Sequence, residues 1–381
     1  MITLLSHCKY KACNQFMLFM ASLLCLFFVQ TVGAIEVAGN QLNIYGTFHG
    51  SVDYMDSDVS SADANLAPDD KLSAGDISIS SNTSKIGLKG EQRLENGIRA
   101  LYQVEQLIDL DSAGSDTFST RNSYLGIGGK YGELLIGRYD TPFKLVSSRY
   151  SVLTDTLGDR RAILGASSTD GNRLNLRAEN MVMWRNDAEL AGGTFDWIIQ
   201  FSADANKSNG AVDNNDRSMW GAWGQWVQNN FSVALAHDSW SSIYDGKIDA
   251  TRIAVKNTFG KFTTAIIYET IQHDLDAGGQ GALDRNAWGS NLTYTQDSWK
   301  YYAQVLSASS YARVQDSGAL MFSIAAEKSL NSAFRAYVVY SQTDNEANAS
   351  YQAVDGGHGD ELGTLAGGTP KALSVGLKYT F

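Results

Sequence analysis

Residues 42–54 read Leu42-Asn43-Ile44-Tyr45-Gly46-Thr47-Phe48-His49-Gly50-Ser51-Val52-Asp53-Tyr54. Leu42, Ile44, Phe48, Val52 and Tyr54 share one phase of a two-residue period, and Asn43, Tyr45, Thr47, His49, Ser51 and Asp53 share the other. Successive side chains of a β-strand point to opposite faces, so this stretch is a strand with one greasy face and one wet face.

The pattern returns along the chain. Phe195, Trp197, Ile199 and Phe201 alternate with Asp196, Gln200 and Ser202, and Phe334, Ala336, Val338 and Tyr340 alternate with Arg335, Tyr337 and Ser341. It closes the sequence as Leu373, Val375, Leu377, Tyr379 and Phe381 set against Lys371, Ser374, Lys378 and Thr380. Noisier versions near residues 84–94, 97–107, 119–128, 132–139, 180–186, 217–228, 230–237, 250–259, 261–270, 286–296, 298–307 and 319–328 bring the expected count to sixteen strands.

The connectors alternate too. Tight turns fall at Glu95-Asn96-Gly97, residues 129–132, Asn229-Asn230, Gly260-Lys261, Asp297-Ser298 and Asn331-Ser332, while residues 55–76, 204–216, 271–285 and 342–370 are long and rich in Gly, Asp, Asn and Ser. Asn-Gly suits a tight hairpin because both central positions need positive φ. Short turns at one end and long loops at the other are the layout of an outer-membrane barrel.

A secreted sandwich or solenoid would also alternate, but no repeat of fixed period exists and the segments match the 9 to 11 residues of a tilted bilayer crossing. Aromatics gather near strand ends, at Tyr54, Trp184, Trp220, Trp226, Tyr294, Trp299, Tyr340 and Phe381, as membrane girdles do. In lipid every backbone N–H and C=O needs an internal partner, so the sheet must close. The expected fold is all-β, a 16-stranded antiparallel transmembrane β-barrel.

Residues 16–29 form a long unbroken apolar run, preceded by Lys9 and Lys11 and followed by Val32-Gly33-Ala34. Fourteen residues are too few for a helical span, which needs about 20. Residues 1–34 therefore read as a signal peptide cleaved before Ile35, and residues 35–381 as one barrel domain. All three cysteines, Cys8, Cys13 and Cys25, lie in that leader, which implies export without disulfides. Losing Lys9 and Lys11 moves the formal charge from −11 to −13, an acidic balance that argues against nucleic acid.

Five motifs together resemble the Gram-negative trimeric general porins, over nearly the whole of residues 35–381. They are Leu42-Asn43-Ile44-Tyr45-Gly46, Ser84-Lys85-Ile86-Gly87-Leu88-Lys89-Gly90-Glu91, Thr120-Arg121-Asn122-Ser123-Tyr124-Leu125-Gly126-Ile127, Tyr131-Gly132-Glu133-Leu134-Leu135-Ile136-Gly137-Arg138 and the terminal Tyr379-Thr380-Phe381. The resemblance implies a passive, water-filled channel for ions and small hydrophilic solutes in the outer membrane, a homotrimer in contact with lipid and lipopolysaccharide, and a final Phe381 read by the outer-membrane assembly machinery. It also implies that the third outer loop, residues 140–179, folds into the barrel.

A selective pore needs a narrow place where opposite charges face each other. Asp155 and Asp159 match the family's acidic loop positions. Lys85 and Arg121, on the lumen phase of strands two and four, match its basic wall cluster, with Arg173 or Arg177 as a third member. Lys85 stands where an arginine is common, and a lysine is a more flexible point charge than a guanidinium fork. Arg160 and Arg161 follow Asp159 directly and would offset the acidic side, which leaves the ion preference open.

No cofactor is expected, and no His or Cys cluster has metal-ligand spacing. His49, His237, His273 and His358 lack the neighbours of a barrel hydrolase, and His237 falls on the lipid phase at a strand end. Two other readings stay on the table. A substrate-selective oligosaccharide channel would need a lumen ladder of aromatics, for which Tyr45, Tyr302 and Tyr337 are too scattered. A receptor or adhesin would act through its outer loops.

Overall fold

A computed structural model describes residues 35–36, 41–61, 72–111, 120–166, 174–205, 217–241, 246–274, 284–354 and 356–381. The proposed leader, residues 1–34, and Arg173 lie outside the described residues. The strands are β1 (Asn43–Asp56), β2 in two pieces (Ala74–Ser81 and Lys85–Arg93), β3 (Arg99–Leu107), β4 (Ser123–Gly129), β5 (Gly132–Asp140), β6 (Arg177–Leu190), β7 (Gly193–Ser202) and β8 (Met219–Gln228). They continue as β9 (Phe231–Trp240), β10 (Lys247–Phe259), β11 (Phe262–Asp274), β12 (Arg285–Gln296), β13 (Trp299–Ala308), β14 (Ala319–Ser329), β15 (Phe334–Asn345) and β16 (Lys371–Thr380). A two-residue strand, Ile35–Glu36, pairs beside β1 at Ile44 and Asn43.

Each strand pairs antiparallel with the next, and β16 returns to β1 with Val375 opposite Val52 and Tyr379 opposite Phe48. The sheet is thus a closed sixteen-stranded antiparallel barrel, as the alternation requires. Closure is completed by Phe381, whose backbone exchanges hydrogen bonds of 2.9 and 3.1 Å with Gly46. The ring of Phe381 packs over Gly46, where a Cβ would come 2.6 Å from ring carbon Cζ and 2.7 Å from the Lys85 carbonyl.

The outer face carries the greasy phase. Ile77, Leu125, Ile136 and Ile266 are between 53% and 72% exposed in the isolated chain, an arrangement that water would not tolerate and lipid rewards. At the short-turn end Phe259, Phe262, Tyr294, Tyr301 and Trp299 stack in a chain with centroids 5.0 to 6.2 Å apart, forming an interfacial girdle. Asn96 and Gly97 take φ of 58° and 74°, as the Asn-Gly signal predicts.

Two features depart from the sequence reading. The second strand begins at Ala74, inside the stretch read as loop, because the polar run 80–84 interrupts its alternation; there Thr83 takes φ 51° and Asn82 reaches inward to Ser51 Oγ at 2.7 Å. The inner face is also not uniformly wet. Ala234, Ala236, Ala250, Ala254, Ala265 and Ile267 point inward and are buried, since a loop packs on them.

Gly46→Val is expected to force the Phe381 ring off the seam and cost about 1–3 kcal/mol. The check is the temperature at which the folded barrel loses its heat-modifiable gel migration, and an unchanged temperature would show that the seam tolerates the side chain.

Candidate functional site

The third loop, between β5 and β6, starts with the helix α1 (Pro142–Tyr150). Thr141 caps it, accepting a hydrogen bond from the Lys144 N–H at 3.4 Å, and Pro142 supplies a first-turn residue that needs no N–H partner. Phe143, Val146 and Tyr150 are buried against the inner wall of β8–β11. The small apolar wall residues make room for them.

A loop inside a barrel exposes carbonyls that must find donors away from bulk water. The wall supplies them in sequence. Arg252 donates to Phe143 O at 2.7 Å, Asn291 to Tyr150 O at 2.9 Å and Gln304 to Gly158 O at 2.7 Å. Arg285 reaches Ile163 O at 2.8 Å and Ala166 O at 2.7 Å. Arg252 and Arg285 share Glu269, at 2.5 and 3.3 Å, and the Glu269 carboxylate also accepts from the Gly165 N–H at 2.7 Å. This cluster was not singled out in the sequence. The signal that could have found it is an arginine and a glutamate on the lumen phase of adjacent strands, at directly paired positions.

The two loop carboxylates differ in role. Asp159 is sealed; it accepts from the N–H groups of Asp155 at 2.7 Å and Arg161 at 2.9 Å, and pairs with the Arg161 guanidinium at 2.7 Å. Asp155 keeps 16% of its side chain exposed and meets the same guanidinium at 2.8 Å. Burial by itself raises both carboxyls, but Arg161 overcomes that and holds them well below the usual carboxylate range. Lys378, Lys85 and Arg121 add to the effect at Asp155. Arg160 is buried behind the turn, 3.6 Å from Asp159.

The structure therefore brings Asp155, Lys85 and Arg121 into electrostatic reach of one another. Arg121 lies just ahead of β4 and is held by Glu105 at 2.6 Å, while Tyr45 donates to the other Glu105 oxygen at 3.0 Å. Arg177 sits at the root of the loop, 3.3 Å from Asp140, which also binds Lys144 at 2.8 Å. His237 lies on the outer face over Trp220, with centroids 5.1 Å apart.

Below the loop a polar cavity of about 410 Å³ is lined by Arg149, Lys256, Lys300, Arg335 and Lys378 against one carboxylate, Glu327. Arg335 and Lys378 stand directly opposite each other on β15 and β16. Like charges at such a position cost stability, and among the described residues none of the five cations forms an ion pair.

Comparison with known proteins bears on this geometry. A family model described as Gram-negative porin matches residues 26–348. The major outer membrane protein P.IB of Neisseria meningitidis is 42% identical over 62 residues, a match covering 16% of this chain and 18% of that protein. Among solved structures, an anion-selective porin from Comamonas acidovorans superposes with a TM-score of 0.70 at 18% identity, covering 90% of this chain and 99% of that one. OmpF of Salmonella typhi in complex with daunomycin gives a TM-score of 0.64 at 16% identity, covering 92% and 100%. At these identities the likeness is one of fold.

Two outcomes follow from the clamp and the carboxylates. Removing one partner of a buried pair costs about 3–5 kcal/mol, so Arg252→Met should free the loop and open folded barrels to trypsin cleavage at Arg160 or Arg161, where the parent resists. The carboxyls are depressed, so their contribution is full above the ordinary carboxylate range and fades only as pH falls through the folded values. The difference in reversal potential under a salt gradient between the parent and Asp155→Asn with Asp159→Asn should stay constant from neutral pH down to about pH 4 and shrink only below it; a difference that already shrinks near pH 5 or 6 would contradict the pairing.

Proposed function

The chain belongs to the Gram-negative porin family, and from that premise we propose that it forms a passive, water-filled channel for small hydrophilic solutes and that it favours anions. Its place is the outer membrane of a Gram-negative bacterium. One observation carries the ion preference: Arg335 and Lys378 face each other on the lumen wall within a cavity that holds five cations and one carboxylate. The loop side does not offset this field, because Arg161 already engages both Asp155 and Asp159.

In this reading Asp155 lines the narrow opening with Lys85 and Arg121, and Lys378 joins them. Asp159 holds the turn, and Arg177 holds the loop root. The transverse field orders water and disfavours apolar solutes. The protein acts as a pore and not as an enzyme, with Phe381 as the residue the assembly machinery reads.

A homotrimer accords with the outer face of β4–β6. There Arg138 and Glu179 pair at 3.1 Å in a shallow depression beside Leu125, Ile136 and Val182. An ion pair on a lipid face is costly, and a neighbouring subunit would cover it.

Planar-bilayer recordings under a potassium chloride gradient test the reading. The reversal potential should carry the sign of anion preference, and Lys300→Glu with Lys378→Glu should lower the anion-to-cation permeability ratio about twofold or more. Asp155→Asn with Asp159→Asn should raise that ratio, since Arg161 is then left unopposed. A cation-signed parent would defeat the preference, and folded barrels without conductance would defeat the channel.

A further inference from the structure

The last outer loop, described over residues 346–354 and 356–370, is also folded into the barrel. Tyr351, Ala353, Val354 and Leu362 are buried, although they belong to a segment whose composition reads as a solvated outer loop. Ala353, Val354 and Leu362 share an apolar cluster with Leu157 of the third loop and with Met55, Tyr337 and Val339 of the wall. The two loops therefore touch inside the lumen.

Their contact is at the acidic knot. Gly356, at φ 87°, lies against the Arg161 side chain, where a Cβ would come 2.8 Å from its Cβ and Cδ. A Cβ at Gly357 would overlap Asp155 Oδ1 and the Arg161 guanidinium, so only glycine admits so close an approach.

Beside it, His358 bridges the loop to the wall. One ring nitrogen, Nε2, lies 3.1 Å from Asp53 Oδ2 on β1, and the other, Nδ1, lies 2.6 Å from the Asp360 carbonyl. Thr83 donates to Gly357 O at 2.6 Å, the Gly359 N–H donates to Asn82 Oδ1 at 2.9 Å, and Ser80 donates to Asp360 at 2.9 Å. Ser51 Oγ is 3.4 Å from the same Nε2 that meets Asp53. A hydrolytic relay needs serine and carboxylate on opposite ring nitrogens, so the arrangement is a fastening and not a catalytic triad.

We infer that the pore has a second constriction loop: residues 346–354 and 356–370 fold against the third loop, fastened by His358 to Asp53, and narrow the opening from the side of β1, β2, β15 and β16. Solutes then pass the opening beside Asp155, Lys85 and Arg121 and enter the cavity lined by Lys256, Lys300, Arg335 and Lys378. This rests on the channel reading above, and it names the element that sets the size of the opening.

The loop has a narrow neck, since the Gly367 N–H donates to Ala349 O at 2.9 Å, so residues 350–366 can be removed and the neck rejoined with little rearrangement of β15 or β16. Single-channel conductance of the refolded parent, of that deletion and of His358→Ala is compared, with heat-modifiable gel migration as the check on folding. The deletion should raise conductance by about half or more, keep the anion sign, and admit larger neutral sugars in a liposome-swelling assay. His358→Ala should flicker between the parental level and the larger one. Equal conductance and equal exclusion size in parent and deletion overturn the inference while leaving the channel reading intact. A deletion that opens the pore beside a His358→Ala channel that stays quiet would overturn the fastening role. Absent conductance from all folded forms would defeat the channel reading itself.

Discussion

Arg252 and Glu269 face each other on adjacent strands of the inner wall, fully buried and in contact, and the interior of the barrel depends on that pair. Taking two charges out of water is expensive, and the cost is offset only when every remaining donor and acceptor is used. Here the spare capacity goes to the third loop: Arg252 holds Phe143 O, Glu269 holds the Gly165 N–H, and Arg285 extends the cluster to Ile163 and Ala166. The ion pair and the loop satisfy each other. The same cluster explains the inward alanines, because a helix can lie flat on the wall only where the side chains beneath it are small.

Charge inside the barrel is sorted by function as well as by sign. Where structure must be held, charges are paired: Asp155 and Asp159 with Arg161, Asp140 with Lys144 and Arg177, Arg121 with Glu105. A second cavity of about 350 Å³ toward β6 and β7 has equal numbers of each sign, with Arg99, Arg185 and Arg149, which also lines the first cavity, against Glu133, Asp187 and Asp196. The first cavity, toward β10–β16, is not balanced. Five cations line it against one carboxylate, and that excess is the feature on which the proposed anion preference rests.

The two inward loops solve a common problem differently. The third is anchored chiefly by backbone carbonyls of its described residues, caught by long wall side chains. The last is anchored chiefly by short contacts of Gly357, His358 and Asp360 to Thr83, Asp53 and Ser80. That grip rests on a few residues, and it uses the polar run 80–84 that interrupts the second strand. The interruption, which hides Ala74–Ser81 from a reading of periodicity, is the seat of the last loop.

The sequence alone determined the barrel. Alternation such as Leu42 to Tyr54, the Asn96-Gly97 turn and the outward phase of His237 were legible because the lipid boundary acts on each residue locally, and its demand repeats every two positions along the strand. Of the charged residues singled out in the sequence, Asp155, Lys85 and Arg121 come within electrostatic reach of one another, and Asp155 and Asp159 both meet Arg161, which follows them in the chain. What only the tertiary structure decided is everything built across the lumen. That Arg252 would hold Phe143, that Arg335 and Lys378 would face each other, and that Gly357 would close on Asp155 depend on residues far apart in sequence. Their contacts follow from barrel closure and register, and they leave no period in the chain.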